Sequence, residues 1–461
     1  MKTIEKEIVI IGAGLTGLTL AYYLKKAGKS VLIIEQKERT GGVIQSVTEN
    51  EFTYETGPTT GVIGSLEMAE LFEDLQGKCT LETANSQAKK RYIWKKSKWE
   101  ALPSGLVSAV TTPLFTLADK FRILGEPFRK AGGYPDESIA ELVKRRLGKS
   151  FLDYAVDPFI SGVYAGDPQQ LITRYALPKL YALEKNYGGF IRGSIKKHGE
   201  PKLPNAHKVT REVFSVAGGL KSLMEALNAE IGEENISTNC RQTKITAEKN
   251  SFKTLFTDLS GENYEIKSAT VITTVGGYAL PNLLPFIDEN KMKPLAEMTY
   301  ASVVQVAVGY KKWNGIKIDA FGGLIPSKEK RNALGILFPS ALFEGRAPQD
   351  GALFSVFLGG IKKPEILTKT DAEIARIVQE EIQITMGIDT APDLLRIHRH
   401  RYAIAQYDIA TGKRLESIEW IQKNFDGLIL AGNIRDGIGM SDRVKQAKLI
   451  AESISAKKTE L

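Results

Sequence analysis

Residues 8–11 are an uninterrupted apolar run, short enough and apolar enough for a strand buried on both faces. Glycines at 12, 14 and 17 follow at once, and apolar positions then continue to Ala27, so the pattern predicts a strand, a tight turn and a helix. Residues 30–35 repeat the strand signature and end in Glu35. At the other end of the chain, 425–433 reads as a buried strand running into a glycine turn. Residues 439–454 open with Ser441 and Asp442 and continue in helix-forming residues, which predicts a second helix N-terminus just past that turn. The middle changes period. Residues 65–195 carry three-and-four apolar spacing and read as mainly helical, whereas 236–275 and 300–360 are alternating and β-branched, as sheets require. Strands, crossovers and helices in this order predict an α/β fold: a Rossmann-type nucleotide-binding domain, a mixed-sheet substrate domain and a helical insertion.

Length and composition narrow this picture. With 461 residues the chain is expected to form two or three domains, and 43% hydrophobic with 25% charged residues is ordinary for a globular protein. A formal charge of +8 favours anionic partners. The basic residues are spread along the chain and form no nucleic-acid module, so nucleic acid is not an expected partner. Cys79 and Cys240 are the only cysteines and lack metal-type spacing, and His398 and His400 form an ordinary strand pair. No metal site is expected, and few cysteines fit a cytoplasmic protein. The uncharged run 8–24 is broken by glycines and threonines and reads as strand and helix rather than as a signal peptide. A second uncharged stretch, 101–118, contains Pro103 and Pro113 and makes a poor spanning helix. It either lies on a bilayer or forms a buried loop and helix lining an apolar pocket.

The turns carry the chemistry. Gly12, Ala13, Gly14, Leu15, Thr16 and Gly17 fit G-x-G-x-x-G: the first glycine makes the turn, the second lets phosphate approach the backbone, and the third allows close helix packing. The helix N-terminus then faces the phosphates. Glu35, beside Gln36, stands where a carboxylate accepts hydrogen bonds from ribose hydroxyls. Beyond it, Arg39, Gly41, Gly42 and Val43 offer a second close backbone approach, and Gly57, Pro58, Thr59 and Thr60 a third. So many contact points along one ligand favour FAD over a nicotinamide dinucleotide. The second turn, Gly432, Asn433, Ile438, Gly439 and Met440, would then hold the isoalloxazine ring, with a helix N-terminus to stabilise negative charge at its N1/O2 side. No cysteine follows Cys240, so a cysteinyl link near this turn is impossible and noncovalent FAD is expected.

The arrangement resembles the FAD amine oxidase and phytoene desaturase superfamily. Residues 162–171 (GVYAGDPQQL), 177–193, 213–227 and 333–346 look like stretches of the oxygen-dependent protoporphyrinogen oxidases, and the resemblance runs from about residue 5 to 455. It implies FAD-dependent oxidation of protoporphyrinogen IX to protoporphyrin IX in heme biosynthesis, with electrons passed through flavin to dioxygen and hydrogen peroxide released. It also implies that no catalytic side chain beyond the flavin is required. By position within the family pattern, Arg91 faces a substrate propionate, Leu324 and Phe338 sandwich the macrocycle, and the backbone of Gln242 meets adenine. The last helix departs from the pattern: 440–452 lacks the cysteine and following glycine common in the family. Coproporphyrinogen III oxidation to coproporphyrin III is the nearest alternative; another FAD amine oxidase or desaturase, and a flavin-bearing porphyrin carrier, are the others.

The expected domains are FAD-binding segments at 1–70, 200–280 and 415–461, a helical membrane-facing insertion at 71–199 and a substrate-binding domain at 281–414. The uncharged stretch 101–118 and the net positive charge add an expected peripheral contact of the helical part with the cytoplasmic membrane, and hand-off of product to ferrochelatase is a further expectation.

Overall fold

The computed structural model describes residues 1–201 and 204–456. Its nucleotide-type sheet is five-stranded and wholly parallel, in the order Ile236–Ser237, Val31–Ile34, Ile8–Ile11, Thr270–Thr273, Leu428–Leu430. The register sets Val9 against Leu32 and Val271, and Ile272 against Ile429, so strands from both ends of the chain stand in one sheet. Continuous apolar runs suit this place because both faces are covered, one by helices and the other chiefly by a four-stranded sheet of Lys2–Glu5, Asn263–Ser268, Phe252–Thr257 and Arg241–Ala247, whose Ile245, Phe252, Phe256 and Ile266 share a core with Val9 and Val271. On one face the helix Leu15–Lys26 packs with Lys221–Ile231 and Met440–Ala456 through Leu18, Leu24, Leu227, Val444 and Ala447.

A second, seven-stranded mixed sheet follows the order Leu394–Ala405, Tyr300–Tyr310, Ala352–Gly359, Ala333–Leu337, Ala320–Leu324, Lys90–Lys95, Lys98–Ala101. One face packs on the helix Asp371–Met386, with Val304, Val306, Ile336, Phe354 and Val356 of the sheet sharing a core with Val378 and Ile382 of the helix. The other face meets the nucleotide segments, where Gln305 Nε2 donates to the Glu55 carbonyl at 2.9 Å. Two expectations change here. The hairpin 90–101 lies inside the stretch expected to be helical, yet it joins the seven-stranded sheet by pairing in parallel with Ala320–Leu324. Residues 281–299, expected in the substrate sheet, form the helices Leu280–Leu283 and Glu289–Ala296 and pack into the core that holds Val9 and Val271. Their apolar residues are spaced for a helix, and the strand run begins only at Tyr300.

The remaining helical part is tied internally by buried charge. Arg146 and Glu126 form a fully buried pair, and Glu126 also accepts the backbone N–H of Phe190 at 2.9 Å and of Ile191 at 3.1 Å. Arg145 bridges Glu137 and Glu184. From this base the helices Leu106–Thr111 and Leu117–Leu124 project outward, and the second buries none of its residues. Val107, Val110, Leu117, Phe121, Leu124 and Phe128 are each at least two-thirds exposed. Among the described residues no helix is long and apolar enough to cross a membrane.

Candidate cofactor and substrate site

The first glycine turn is built as a phosphate approach needs. Gly12 has φ +104°, a conformation that favours glycine, and a Cβ at Gly17 would sit 1.9 Å from the Gly12 carbonyl oxygen. Gly42 lies against Gly14: a Cβ on Gly42 would reach the Gly14 Cα at 3.1 Å, whereas a Cβ on Gly14 would find its nearest atom 4.0 Å away. Gly14 begins the helix Leu15–Lys26 without a side-chain cap, leaving its first N–H groups open. The Gly41 N–H donates to the Ala13 carbonyl at 2.7 Å, so the first and second approach segments are pinned together. Glu35, buried at the end of its strand, accepts from the Ala13 N–H at 2.8 Å and from the Lys37 N–H at 2.9 Å. These bonds orient the carboxylate and leave further lone pairs for hydroxyls. Gln36 is exposed beside it.

Arg39 braces the loop, with Nη1 on the Thr40 carbonyl and Nη2 on the Gly42 carbonyl, both at 3.0 Å. The third segment stacks on the second, since a Cβ at Gly57 would meet the Val43 carbonyl oxygen at 2.1 Å. Thr59 is 7% exposed and its Oγ1 has no hydrogen-bond partner. An orphaned buried hydroxyl inside a cradle of glycines is what a polar ligand would satisfy, and the cradle fits FAD on that ground. A cavity of about 260 Å³ opens beside Gly42 and Val43, lined by Lys37, Arg39, Arg399, His398 and His400, its positive charge supplied by the lysine and the two arginines. Burial holds both imidazoles below the ordinary histidine value, and His400 Nε2 lies 2.7 Å from the Thr56 carbonyl. Just before this segment, burial pushes the Glu55 carboxyl up to about 7 even though it accepts from Ser46 Oγ and the Leu220 N–H.

The second turn meets the first through the same sheet. The Gly432 N–H donates to Gln446 Oε1 at 2.8 Å, and the Tyr407 hydroxyl lies 3.1 Å from the carbonyls of Asn433 and Gly437. The helix beyond begins at Met440, with Ile438 half-buried and Gly439 exposed at its start. The expected cap is built differently. Ser441 Oγ donates to the Val62 carbonyl and accepts the Gly64 N–H at 3.1 Å, while Asp442 Oδ2 accepts the Gly439 N–H at 3.0 Å. Ser441 thereby fastens the C-terminal helix to the end of the Gly57–Thr60 segment, a link of 377 positions that no local pattern carries. Gln242 is exposed at φ +52°, where the strand register shifts; the direct bond to the Glu35 carbonyl comes from the Cys240 N–H at 2.9 Å.

Register decides which residues of the seven-stranded sheet face the cradle. Across the seven-stranded sheet, Arg91 stands opposite Gly322, then Leu337, then Ser355; the adjacent row runs Ile93, Leu324, Gly335, Phe357, Gln305. Gln305 bonds to the nucleotide segment, so both rows lie on the face toward the cradle. Arg91 is exposed, has no salt bridge among the described residues, and its guanidinium sits 5.7 Å from the Phe321 ring centroid. Leu324 is roofed by the helix Asp157–Tyr164: a Cβ at Gly162 would fall 2.4 Å from its Cδ2. Phe338 does not join them. It is 0% exposed, packs edge-to-face on Phe354 at 5.5 Å, and belongs to the core on the opposite face. One step along a strand reverses the face, so the half-buried side chains toward the cradle are Leu337 and Phe357, which the linear sequence did not single out. No alternation along Ala333–Leu337 separates 337 from 338, because the register shifts between Ala333 and Gly335; the pairing of Gly335 with Phe357 does. Among the described residues no cluster of acids, histidines and cysteines is arranged to hold a metal.

A family model described as flavin containing amine oxidoreductase matches residues 15–454. Protoporphyrinogen oxidase 2, chloroplastic/mitochondrial, of Arabidopsis thaliana is 28% identical over 470 residues, covering 95% of this chain and 92% of its own. Protoporphyrinogen oxidase of Homo sapiens is 26% identical over 478 residues, covering 97% and 98%. In fold, the chain matches a crystal structure from Exiguobacterium sp. 255-15, provisionally described as a protoporphyrinogen oxidase, with TM-score 0.81, 22% identity and coverage of 98% and 99%. With the glycine cradle and a family match over nearly its whole length, the chain belongs to the flavin containing amine oxidoreductases and is an FAD-using oxidase.

Proposed function

We propose that this enzyme oxidises protoporphyrinogen IX to protoporphyrin IX in heme biosynthesis, six electrons leaving through FAD to dioxygen with release of hydrogen peroxide. The observation that carries the reading is the pairing of Arg91, an exposed guanidinium with no salt bridge among the described residues, with the apolar side chains Leu324, Leu337 and Phe357 of two adjacent rows on the sheet face toward the cofactor cradle. A flat macrocycle with propionates at its edge needs that combination: apolar walls for the ring and a guanidinium fork for a carboxylate. The near-full-length similarity to protoporphyrinogen oxidases supports the same substrate class. Bound FAD supplies the two-electron acceptor, so the chain's residues need only bind, orient and shield the substrate. The FAD is held noncovalently by residues 12–17, 35–43, 57–60 and 432–440.

The exposed apolar segment 106–128, with Lys120 and Arg122 within it and Arg129 and Lys130 just after it, lies on the cytoplasmic membrane and faces the source of an apolar substrate. Release of product there fits hand-off to ferrochelatase. Coproporphyrinogen III, with four carboxylates, is the rival substrate. Purified enzyme is offered each porphyrinogen in air, and the fluorescence of the porphyrin formed is followed. The expected result is a kcat/KM at least about tenfold higher for protoporphyrinogen IX, equivalent to about 1.4 kcal/mol; preference for coproporphyrinogen III moves the enzyme one carboxylation state earlier.

A further inference from the structure

Two guanidinium groups lie buried behind the 432–439 turn, and among the described residues neither has a carboxylate within salt-bridge distance. Arg414 has no exposed surface; Nε donates to the Ile434 carbonyl at 3.0 Å, Nη2 to Thr411 Oγ1 at 3.1 Å, and Nη1 to nothing. Arg443 is 7% exposed; Nη2 donates to the carbonyls of Arg435 at 2.9 Å and Asp436 at 2.7 Å, Nη1 to Gln446 Oε1 at 2.9 Å, and Nε to nothing. The Tyr407 ring lies 5.5 Å from the Arg414 guanidinium, and its hydroxyl accepts the Gly437 N–H. The nearby acids are engaged elsewhere: Asp442 takes the Gly439 N–H, and Asp436 takes Arg435 Nε and Gln446 Nε2, each at 2.8 Å.

An unpaired buried charge is among the costliest arrangements a fold can carry. Burial holds both guanidinium groups below the ordinary arginine value, in keeping with that cost. Position makes it worse. Arg443 is the fourth residue of Met440–Ala456, at the helix end that already carries positive partial charge, whereas cations stabilise the opposite end. Two buried guanidinium groups and a helix N-terminus therefore surround one turn. This is also the stretch in which the chain departs from the pattern it otherwise resembles. Standing positive charge at a turn is relieved by a negative group docked against it, and isoalloxazine becomes anionic on its pyrimidine edge when reduced.

We propose that Arg414 and Arg443 are positioning residues that hold positive charge behind the 432–439 turn for the anionic edge of the reduced flavin, so that they favour its reduction. The proposal rests on the reading that this turn holds the ring. FAD-loaded protein tests it through the two-electron midpoint potential and the affinity for sulfite, which adds an anion to the flavin. Arg443→Met and Arg414→Met are each expected to weaken the preference for the reduced state about tenfold, a fall of about 30 mV for a two-electron couple. Sulfite affinity is expected to fall by a similar factor. Arg443→Lys, which keeps the charge and loses the forked hydrogen bonds, should retain the wild-type potential. Should the Met variants fail to hold FAD, Arg443→Gln and Arg414→Gln carry the same expectation. Ile438→Trp separates the two readings. If it shifts the flavin absorbance bands while the arginine variants keep the wild-type potential, the turn holds the ring and the proposal is overturned. If it leaves the flavin spectrum untouched, the placement of the ring falls, and the proposal with it. A potential lost equally in the Lys and Met variants also overturns it, because the arginines are then hydrogen-bonding struts.

Discussion

Arg91 ends a row of the seven-stranded sheet with its guanidinium over Phe321, and among the described residues it forms no salt bridge. A charge-assisted hydrogen bond to a propionate contributes about 1.5–3 kcal/mol, so Arg91→Ala should lower kcat/KM about tenfold to a hundredfold. FAD content and melting temperature should stay unchanged, and a porphyrinogen with esterified propionates should be nearly indifferent to the substitution; equal losses on acid and ester would make Arg91 structural. Leu337 and Phe338 give a paired test of register. Phe338→Ala opens a cavity in the core and is expected to cost about 3–5 kcal/mol of stability, read from denaturant unfolding, with KM kept. Leu337→Ala should do the reverse, raising KM several-fold at a smaller cost in stability. The residue types at 337 and 338 were legible from the sequence, but both are large and apolar. Only the pairing of Gly335 with Phe357 shows which one turns toward the cradle.

At the scale of elements, local pattern was a good guide wherever an element is fixed by its own residues. The strand, turn and helix over 8–26 follow from an apolar run, three glycines and helical spacing. The hairpin 90–101 was not readable as part of the seven-stranded sheet, because its partner strand lies more than two hundred positions away in the sequence. The helices 106–111 and 117–124 are the opposite case: their apolar composition was plain, but whether it faced a core or solvent depended on packing. Leu117, Phe121 and Leu124 share one face and are at least two-thirds exposed. Vesicles containing anionic lipid should therefore retain the protein at low salt, less so at high salt, and Phe121→Glu with Phe128→Glu should abolish retention while leaving activity on detergent-dispersed substrate. Equal retention of wild type and variant would remove these helices from any membrane role.

At the scale of the whole molecule, the two glycine turns at opposite chain ends stand at strands of one parallel sheet, on either side of Thr270–Thr273. Their kinship was legible because each couples a buried strand to a helix N-terminus. The clasp from the C-terminal helix to the chain just past Gly57–Thr60 was not, since Ser441 reaches Val62 and Gly64 through side-chain hydrogen bonds that have no sequence signature. The same holds for the sheet-to-cradle contact from Gln305. If this cradle delivers electrons from a porphyrinogen to its flavin, the transfer is visible as bleaching of the flavin before any oxidant can act. Anaerobic stopped-flow mixing of the FAD-loaded enzyme with protoporphyrinogen IX therefore tests it most directly. The predicted result is complete loss of the flavin absorbance band within the turnover time, slower bleaching with coproporphyrinogen III, and return of the band on admitting air. A flavin that keeps its colour with both porphyrinogens would contradict it.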